Sequence, residues 1–366
     1  MLYYLSELSN LVGYFNLFKY VTFRAAGATF TAMFICFVFG PMTVRLLKKF
    51  NTMAPTRLEG IVEDKYIDHS KDKVPSMGGL LIVASITIST LLWARLDSLL
   101  ILIFLGSLVL LCAIGFIDDL SKILKTGGMS AKMKLFCQTL VSVIAVGLLF
   151  YADKDSGGYL QKVSLPFLSK LISFKGAAVL VFGFAVFMMV GFSNAVNLTD
   201  GKDGLATGCT AISASTYALI AYLCGHVEFA EYLKIPQISG AGEVGIFCGA
   251  IAGACLGFLW YNCSPASMFM GDTGSLALGG SLAMVAIMTR QEVILIIIGG
   301  VFVIEAASVM LQVGYFKYTG GKRIFLCTPI HHHFERKGWT ETQIVVRFWI
   351  IALICAAIGL ATLKIR

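Results

Sequence analysis

Ten stretches of this chain are each about as long and as apolar as a helix that crosses a lipid bilayer, and no other feature restricts its folding so severely. A crossing needs about 20 mostly apolar residues, because only a segment that satisfies its own backbone hydrogen bonds is stable in hydrocarbon. The runs cover about 22–46, 76–95, 98–117, 135–151, 177–193, 205–223, 244–261, 273–289, 292–316 and 343–363. Composition agrees, with 57% of residues hydrophobic and 14% charged, against roughly 25% charged in soluble domains. The sequence therefore predicts an all-α integral membrane protein with ten transmembrane helices, a single polytopic domain over residues 1–366. The segment before the first run carries Glu7, Asn10 and Lys19. It lacks the basic start and small-residue cleavage site of a removable signal, and reads as an interfacial lead-in. The ten cysteines lie scattered, mostly inside apolar runs, and behave as small hydrophobes rather than as a metal or disulfide framework.

Charge sets the expected topology. The connections after the odd-numbered runs, with Arg347, hold 18 of the 29 lysines and arginines. Basic residues prefer the cytoplasmic side, so the odd loops are expected there and both termini on the periplasmic side. The net charge of +8 thus reports topology rather than nucleic-acid binding. Anionic lipid and phosphorylated substrates remain open partners.

Five polar clusters interrupt the apolar pattern: "SKDKVPSMGG", "GFIDDLSK", "NAVNLTDGKDGLA", "MFMGDTGS" and "TPIHHHFERKGW". All five fall in odd loops, which predicts one shared site at the cytoplasmic face. Asp118 and Asp119 end the third run, where a helix terminus is already partially negative. Adjacent carboxylates there call for a cation, either a metal or the neighbouring Lys122 and Lys125 at a hydrated helix end. Asp200 and Asp203 stand three apart, on neighbouring sides of one turn if it is helical. Capping of the helix that begins near Leu205 accounts for Asp203 alone, not for Asn194, Asn197, Thr199 and Asp200 beside it. Asp272 precedes an apolar helix, so capping competes with function there. Phe269 and Asn262 bring an aromatic face and an amide to the same edge. His331, His332 and His333 point in different directions, which disfavours one tetrahedral zinc. Donation to a phosphate or carbonyl suits them better, and a solvated loop is the plain alternative. Glu305 lies deep in the ninth run and is either structural or lines a lipid path.

Carboxylates, lysines and histidines converging at one membrane face suit chemistry between anions. Joining a phosphate to a diphosphate calls for a cation such as Mg²⁺ on oxygen ligands, with Lys or His donors around it. No GxxxxGKS loop is present, which argues against a P-loop nucleotide hydrolase.

The stretches "SMGG", "GFIDD", "NAVNLTDGKDGLA", "FMGDTGSLALGG" and "PIHHHFERKGW", in this order from about Phe23 to the final "LATLKIR", closely resemble the polyprenyl-phosphate N-acetylhexosamine-1-phosphate transferase superfamily. The triple histidine followed by "ERKGW" resembles its muramoyl-pentapeptide branch. That resemblance implies transfer of phospho-MurNAc-pentapeptide from UDP-MurNAc-pentapeptide to undecaprenyl phosphate, giving lipid I and UMP for peptidoglycan. It also implies Mg²⁺, an active site at the cytoplasmic face of the bacterial inner membrane, and a homodimer. Carried over by motif, Asp272 is the magnesium ligand, Asp118 the base or positioning group for undecaprenyl phosphate, and Asp119 its support. Asn197, Asp200 and Asp203 shape the nucleotide and diphosphate pocket, with Asp203, Phe269 and Asn262 nearest the uridine. Lys71, Ser76, Lys122, Lys134, His331, His332 and His333 meet phosphate or sugar groups, His331 among the catalytic set. Two positions depart from the pattern: Lys202 stands where leucine is usual and Ser76 where threonine is usual. Two rival functions are a relative that transfers GlcNAc-1-phosphate and, in a different class, a proton- or ion-coupled transporter. Transport calls for acids near mid-depth on several spans, and here Glu305 is the main one.

Overall fold

The computed structural model describes residues 1–10, 12–50, 52, 74–124, 127–153, 158–161, 172 and 176–364. Every regular element among them is helical. The lead-in forms two 3₁₀ helices, Leu2–Asn10 and Gly13–Lys19. The α-helices are α1 (Val21–Lys49), α2 (Gly79–Trp93), α3 (Leu99–Ile123), α4 (Ala131–Asp153), α5 (Ala177–Thr199), α6 (Leu205–Gly225), α7 (Val227–Leu233), α8 (Ala241–Asn262), α9 (Gly271–Met288), α10 (Glu292–Ile298), α11 (Gly300–Thr319), α12 (Ile330–Arg336) and α13 (Glu341–Thr362).

Among the described residues nine of these helices are long and apolar enough to cross a membrane. They coincide with nine of the ten runs read from the sequence. The run at 76–95 forms α2, which has only 15 residues, short of a full crossing by itself. Its amino end is taken up by an extended segment: Phe269 donates its backbone N–H to the carbonyl of Pro75, and Gly78 donates back to the carbonyl of Phe269, both at 2.8 Å. The ninth run is divided at Gly299, so α10 and α11 are separate helices.

Helix α9 is the centre of the bundle, with all 18 of its residues buried. Helices α3 and α5 flank it, with α2 also against it. Small residues make this packing possible. A Cβ on Gly79 would lie 2.1 Å from the backbone nitrogen of Gly274, and one on Gly279 would lie 2.3 Å from the carbonyl oxygen of Phe192. Without an aqueous hydrophobic drive between helices, such close backbone approach gives the contact its strength. The outer helices are the reverse: only 22% of the most apolar window of α1 is buried, and Phe30 and Phe34 stand 65% exposed. An apolar exterior of this extent is stable against lipid and not against water.

Alternation of helix direction sorts the polar residues into two ends. The start of α1, the end of α2 and the start of α8 meet around a buried pair in which Arg24 donates to both oxygens of Glu243, at 2.7 and 2.8 Å. The opposite ends of α2 and α8 meet the end of α3 and the start of α9, and all the described sequence-predicted site residues lie there.

Candidate active site

The floor of the site forms where the last turn of α3 meets the first turn of α9. Gly115 sets the spacing, since a Cβ there would lie 2.2 Å from the carbonyl oxygen of Asp272. The two backbones therefore touch, and Asp118, Asp119 and Asp272 fall into one cluster, each 5% exposed or less. Gly271 closes the corner. Its φ of +72° is in the left-handed region, and a side chain there would strike Asp119 Oδ2 and Ser76 Oγ.

Asp272 is the hub. Its Oδ2 accepts from Lys122 Nζ at 2.8 Å and Lys134 Nζ at 2.5 Å, and its Oδ1 accepts from Asn197 Nδ2 at 2.6 Å. Asn197 also donates to Ser275 Oγ at 2.9 Å. Asp118 shares the same two ammonium groups, at 2.8 Å from Lys122 and 3.2 Å from Lys134, while its Oδ1 accepts the backbone N–H of Met129 at 2.7 Å. Asp119 turns the other way: Oδ2 accepts the backbone N–H and the hydroxyl of Thr273 at 2.9 and 2.7 Å. Helices α3, α4, α5 and α9 thus each contribute to one constellation.

Among the described residues three acidic side chains face two lysine ammonium groups in a poorly screened environment, where each charge acts strongly on its neighbours. The positive end of α9 favours Asp272, whereas the negative end of α3 disfavours Asp118 and Asp119. Anions entering here meet two lysines held in place, with Lys122 the more accessible at 34% side-chain exposure against 16% for Lys134.

The carboxylate oxygens are hard donors of the kind that Mg²⁺ takes. No group of three or more His, Cys, Asp or Glu among the described residues is arranged as a complete metal cage. Mg²⁺ commonly uses one or two carboxylates and fills its octahedron with water and substrate phosphate. The residues present fit such an ion, with Asp272 as the carboxylate most central to the cluster.

A wall rises from the α5–α6 turn and α12. Asp200 is the C-cap of α5. Asp203 does not cap α6, whose N-cap is Gly204. Instead Asp203 Oδ2 accepts from the backbone N–H of Ala266 at 3.1 Å, and its own N–H reaches Glu341 Oε1 at 3.0 Å. Asn262 is 2% exposed and spends its amide inside the protein: Oδ1 accepts from Gly204 N–H and Thr207 Oγ1, and Nδ2 donates to the carbonyl of Met268. Its immediate effect is to hold the turn against the 263–268 loop. Phe269 and Ser76 are half-buried on the strip beside Gly271. Lys71 lies outside the described residues, as does Lys125.

The three histidines part ways as their sequence adjacency predicts. His331 is buried, with Nδ1 3.1 Å from Glu305 Oε2. His332 Nδ1 lies 2.9 Å from Glu335 Oε2, and Lys202 donates to the other oxygen of Glu335 at 2.5 Å. His333 accepts from the backbone N–H of Leu326 at 3.1 Å. Burial lowers the imidazole of His332 below its ordinary range despite the opposing hydrogen bond to Glu335. Burial would raise Glu335, but His332 and Lys202 override it and hold the carboxyl at about 2. The cation at Lys202 is therefore spent on α12.

Thr273, the Met129 amide, Ser275 and the Glu305 partner of His331 escaped the sequence reading. Thr273 and Ser275 stand inside a quoted motif, and Glu305 is marked by its depth in an apolar run but not as the partner of His331, while no local signal marks the Met129 amide.

Residues 101–290 match the model of glycosyl transferase family 4. The chain is 50% identical to the phospho-N-acetylmuramoyl-pentapeptide-transferase of Desulfotalea psychrophila over 96% of each chain. It is 47% identical to that of Methylacidiphilum infernorum and 48% identical to that of Neisseria meningitidis serogroup C, over 100% of each chain. This chain belongs to the phospho-N-acetylmuramoyl-pentapeptide-transferase family. The family-model match runs from α3 to the end of α9, so it contains the whole carboxylate and lysine cluster. The histidine helix α12 lies beyond it and inside the full-length likeness to the transferases.

Proposed function

We propose that the chain transfers phospho-MurNAc-pentapeptide from UDP-MurNAc-pentapeptide to undecaprenyl phosphate, forming lipid I and UMP for peptidoglycan synthesis. The observation that carries this is the cluster in which Asp272 and Asp118 share Lys122 and Lys134. Two lysines shared between acids offer exchangeable cations at one end of a lipid-facing bundle, where a water-borne nucleotide sugar and a membrane-borne phosphate can meet.

Lys122 and Lys134 exchange their carboxylate partners for phosphate oxygens and hold the two mutually repelling substrates together. The acceptor is a phosphate monoester with a second pKa near 6, so it is a nucleophile near neutral pH without a base. Asp118, which shares both lysines and accepts the Met129 N–H, is the base or positioning group for the acceptor. An oxygen of the lipid phosphate attacks the sugar-linked phosphorus, the bond to the bridging oxygen breaks, and UMP leaves with the electron pair. Asp272 would hold a Mg²⁺ ion, which when bound would supply charge neutralisation of the diphosphate. Asn197 keeps the Asp272 carboxylate turned toward the lysines. Asp200, Asp203 and Phe269 border the nucleotide end, and Ser76, His332 and His333 the sugar and phosphate groups. In the covalent alternative Asp118 or Asp119 becomes the nucleophile. Rapid-quench trapping of a phosphosugar–enzyme adduct on either residue would establish that alternative against direct attack.

The finer topology belongs to the same proposal: one polytopic domain, α2 completing ten spans, both termini periplasmic, the site cytoplasmic, and a homodimer in the bacterial inner membrane. The positive-inside distribution of lysine and arginine supports this orientation. Incubation of the purified chain with UDP-MurNAc-pentapeptide or UDP-GlcNAc, each with undecaprenyl phosphate and Mg²⁺, tests the function. Mass identification of lipid I only in the first reaction is expected. A GlcNAc lipid, or no lipid product, rejects the assignment.

A further inference from the structure

Two buried polar atoms stand out beside the α5–α6 turn. His331 and Glu305 have 1% and 0% side-chain exposure and face each other through Nδ1 and Oε2. Nε2 of His331 and Oε1 of Glu305 are both fully buried and have no hydrogen-bond partner. A carboxylate in the body of α11 is costly unless a partner compensates it, and His331 is the partner the structure supplies. Nε2 lies against Gly201: a Cβ on that glycine would be 2.5 Å from it. Gly201 follows Asp200 at the end of the helix whose Asn197 holds Asp272.

We infer that Glu305 is a positioning residue for His331, keeping a hydrogen on Nε2 and aiming that donor at the α5–α6 turn for an anionic phosphate oxygen of a substrate. Two placements put a hydrogen on Nε2: a carboxylate beside an imidazolium, which carries one on both ring nitrogens, and a Glu305 protonated on Oε2 that donates to Nδ1. Two strip it: a carboxylate beside a neutral ring protonated at Nδ1, and a Glu305 protonated on Oε1 that accepts from Nδ1–H. The first of these strands a net negative charge in a fully buried site, and the second buries an O–H at Oε1, which has no hydrogen-bond partner among the described residues. The pair is assigned to the first two placements, in which Nε2 is a donor. A buried donor without an acceptor is unfavourable by about the cost of a lost hydrogen bond. An oxyanion that reaches it as the Gly201 backbone shifts removes that penalty, so the turn and the ligand are coupled. Glycine at 201 puts no side chain between Nε2 and the turn. This inference rests on the proposed transfer reaction, because it supplies the phosphate.

The test uses the full chain in lipid nanodiscs, with steady-state kinetics for each substrate and ¹⁵N-histidine NMR. Partners that orient a working histidine change activity by roughly 10–100-fold, so Glu305→Ala is expected to lower turnover by that factor, and His331→Ala by at least as much. The double variant should fall within about threefold of His331→Ala, because Glu305 acts through His331. Glu305→Gln, whose amide can donate to Nδ1 and leave the hydrogen on Nε2, should recover most of the loss. The substrate whose KM rises identifies the phosphate source, nucleotide sugar or lipid. The His331 resonance should show a hydrogen on Nε2 in the parent chain. Losses that multiply in the double variant, or an Nε2 without hydrogen in the parent, overturn the inference. The NMR reading needs no substrate, so it stands or falls apart from the transferase assignment.

Discussion

The two polar ends of the bundle handle buried charge in opposite ways. Around Glu243 both carboxylate oxygens are satisfied: Arg24 binds each of them, and the backbone N–H of Arg95 adds a third bond at 2.9 Å. One acid meets one base, with the arginine 2% exposed. Around Asp272 three acids compete for two lysines, and Lys122 is partly open to solvent. A carboxylate held at both oxygens by a buried arginine fixes three helix ends to one another. Among the described residues the Asp272 cluster has acids that share lysines, and shared partners can be exchanged for those of a substrate.

Breaking each end should therefore fail differently. The largest effect is expected from Asp272→Asn, with lipid product formation falling roughly 1,000-fold and the melting temperature nearly unchanged, read by product assay and thermal unfolding. A large stability loss with little change in turnover would cancel the contrast. Next, Arg24→Ala leaves Glu243 buried and unpaired, which costs about 3–5 kcal/mol. Tm should fall while turnover of the folded protein stays within about twofold. Restoring an apolar pair with Arg24→Met and Glu243→Leu should recover much of that Tm. Third, Lys134→Ala should reduce turnover by about 100-fold and Lys122→Ala by about 10-fold, since the more buried ammonium is less readily replaced by water. Equal losses would remove burial as the reason.

The smallest effect belongs to Lys202→Leu, which cuts one support of Glu335. Its carboxyl is held at about 2 in the folded chain, below its unfolded range, so its stabilising contribution is present above about pH 4 and fades as pH falls toward 2. Glu335 is 43% exposed in its side chain, which limits the effect to less than about 1 kcal/mol. Unfolding measured from pH 7 to 3 should show a slightly smaller acid-dependent loss in the variant than in the parent. Identical curves would show that the Lys202 contact contributes nothing.

Much of this arrangement was legible in the sequence because it follows from one-dimensional patterns. Apolar run length located the spans, and motif parity brought Asp118, Asn197, Asp272 and His331 to one end. What escaped depends on contacts between distant segments. Nothing near Glu305 reveals that its partner lies 26 residues away in α12. Nothing near Asp272 reveals that Lys122 and Lys134 both reach its Oδ2. Hydropathy also overran the ends of α2 and missed the division at Gly299, because it averages over the residues where a helix stops. Capping was a sound rival for Asp203 and Asp272, yet each sends its oxygens across to another segment instead.

The complete enclosure of α9 has a consequence for biogenesis. Its best window has a mean hydropathy of 1.2, against 3.0 for α3, and all its residues touch protein. A segment this rich in glycine and hydroxyl side chains has little to gain from leaving the translocon for acyl chains alone. An insertion reporter placed after α9 in isolation should score it as poorly retained, and one placed after the upstream helices as integrated. The most enclosed helix of the bundle is then a passenger that enters the bilayer only once its neighbours have made a berth for it.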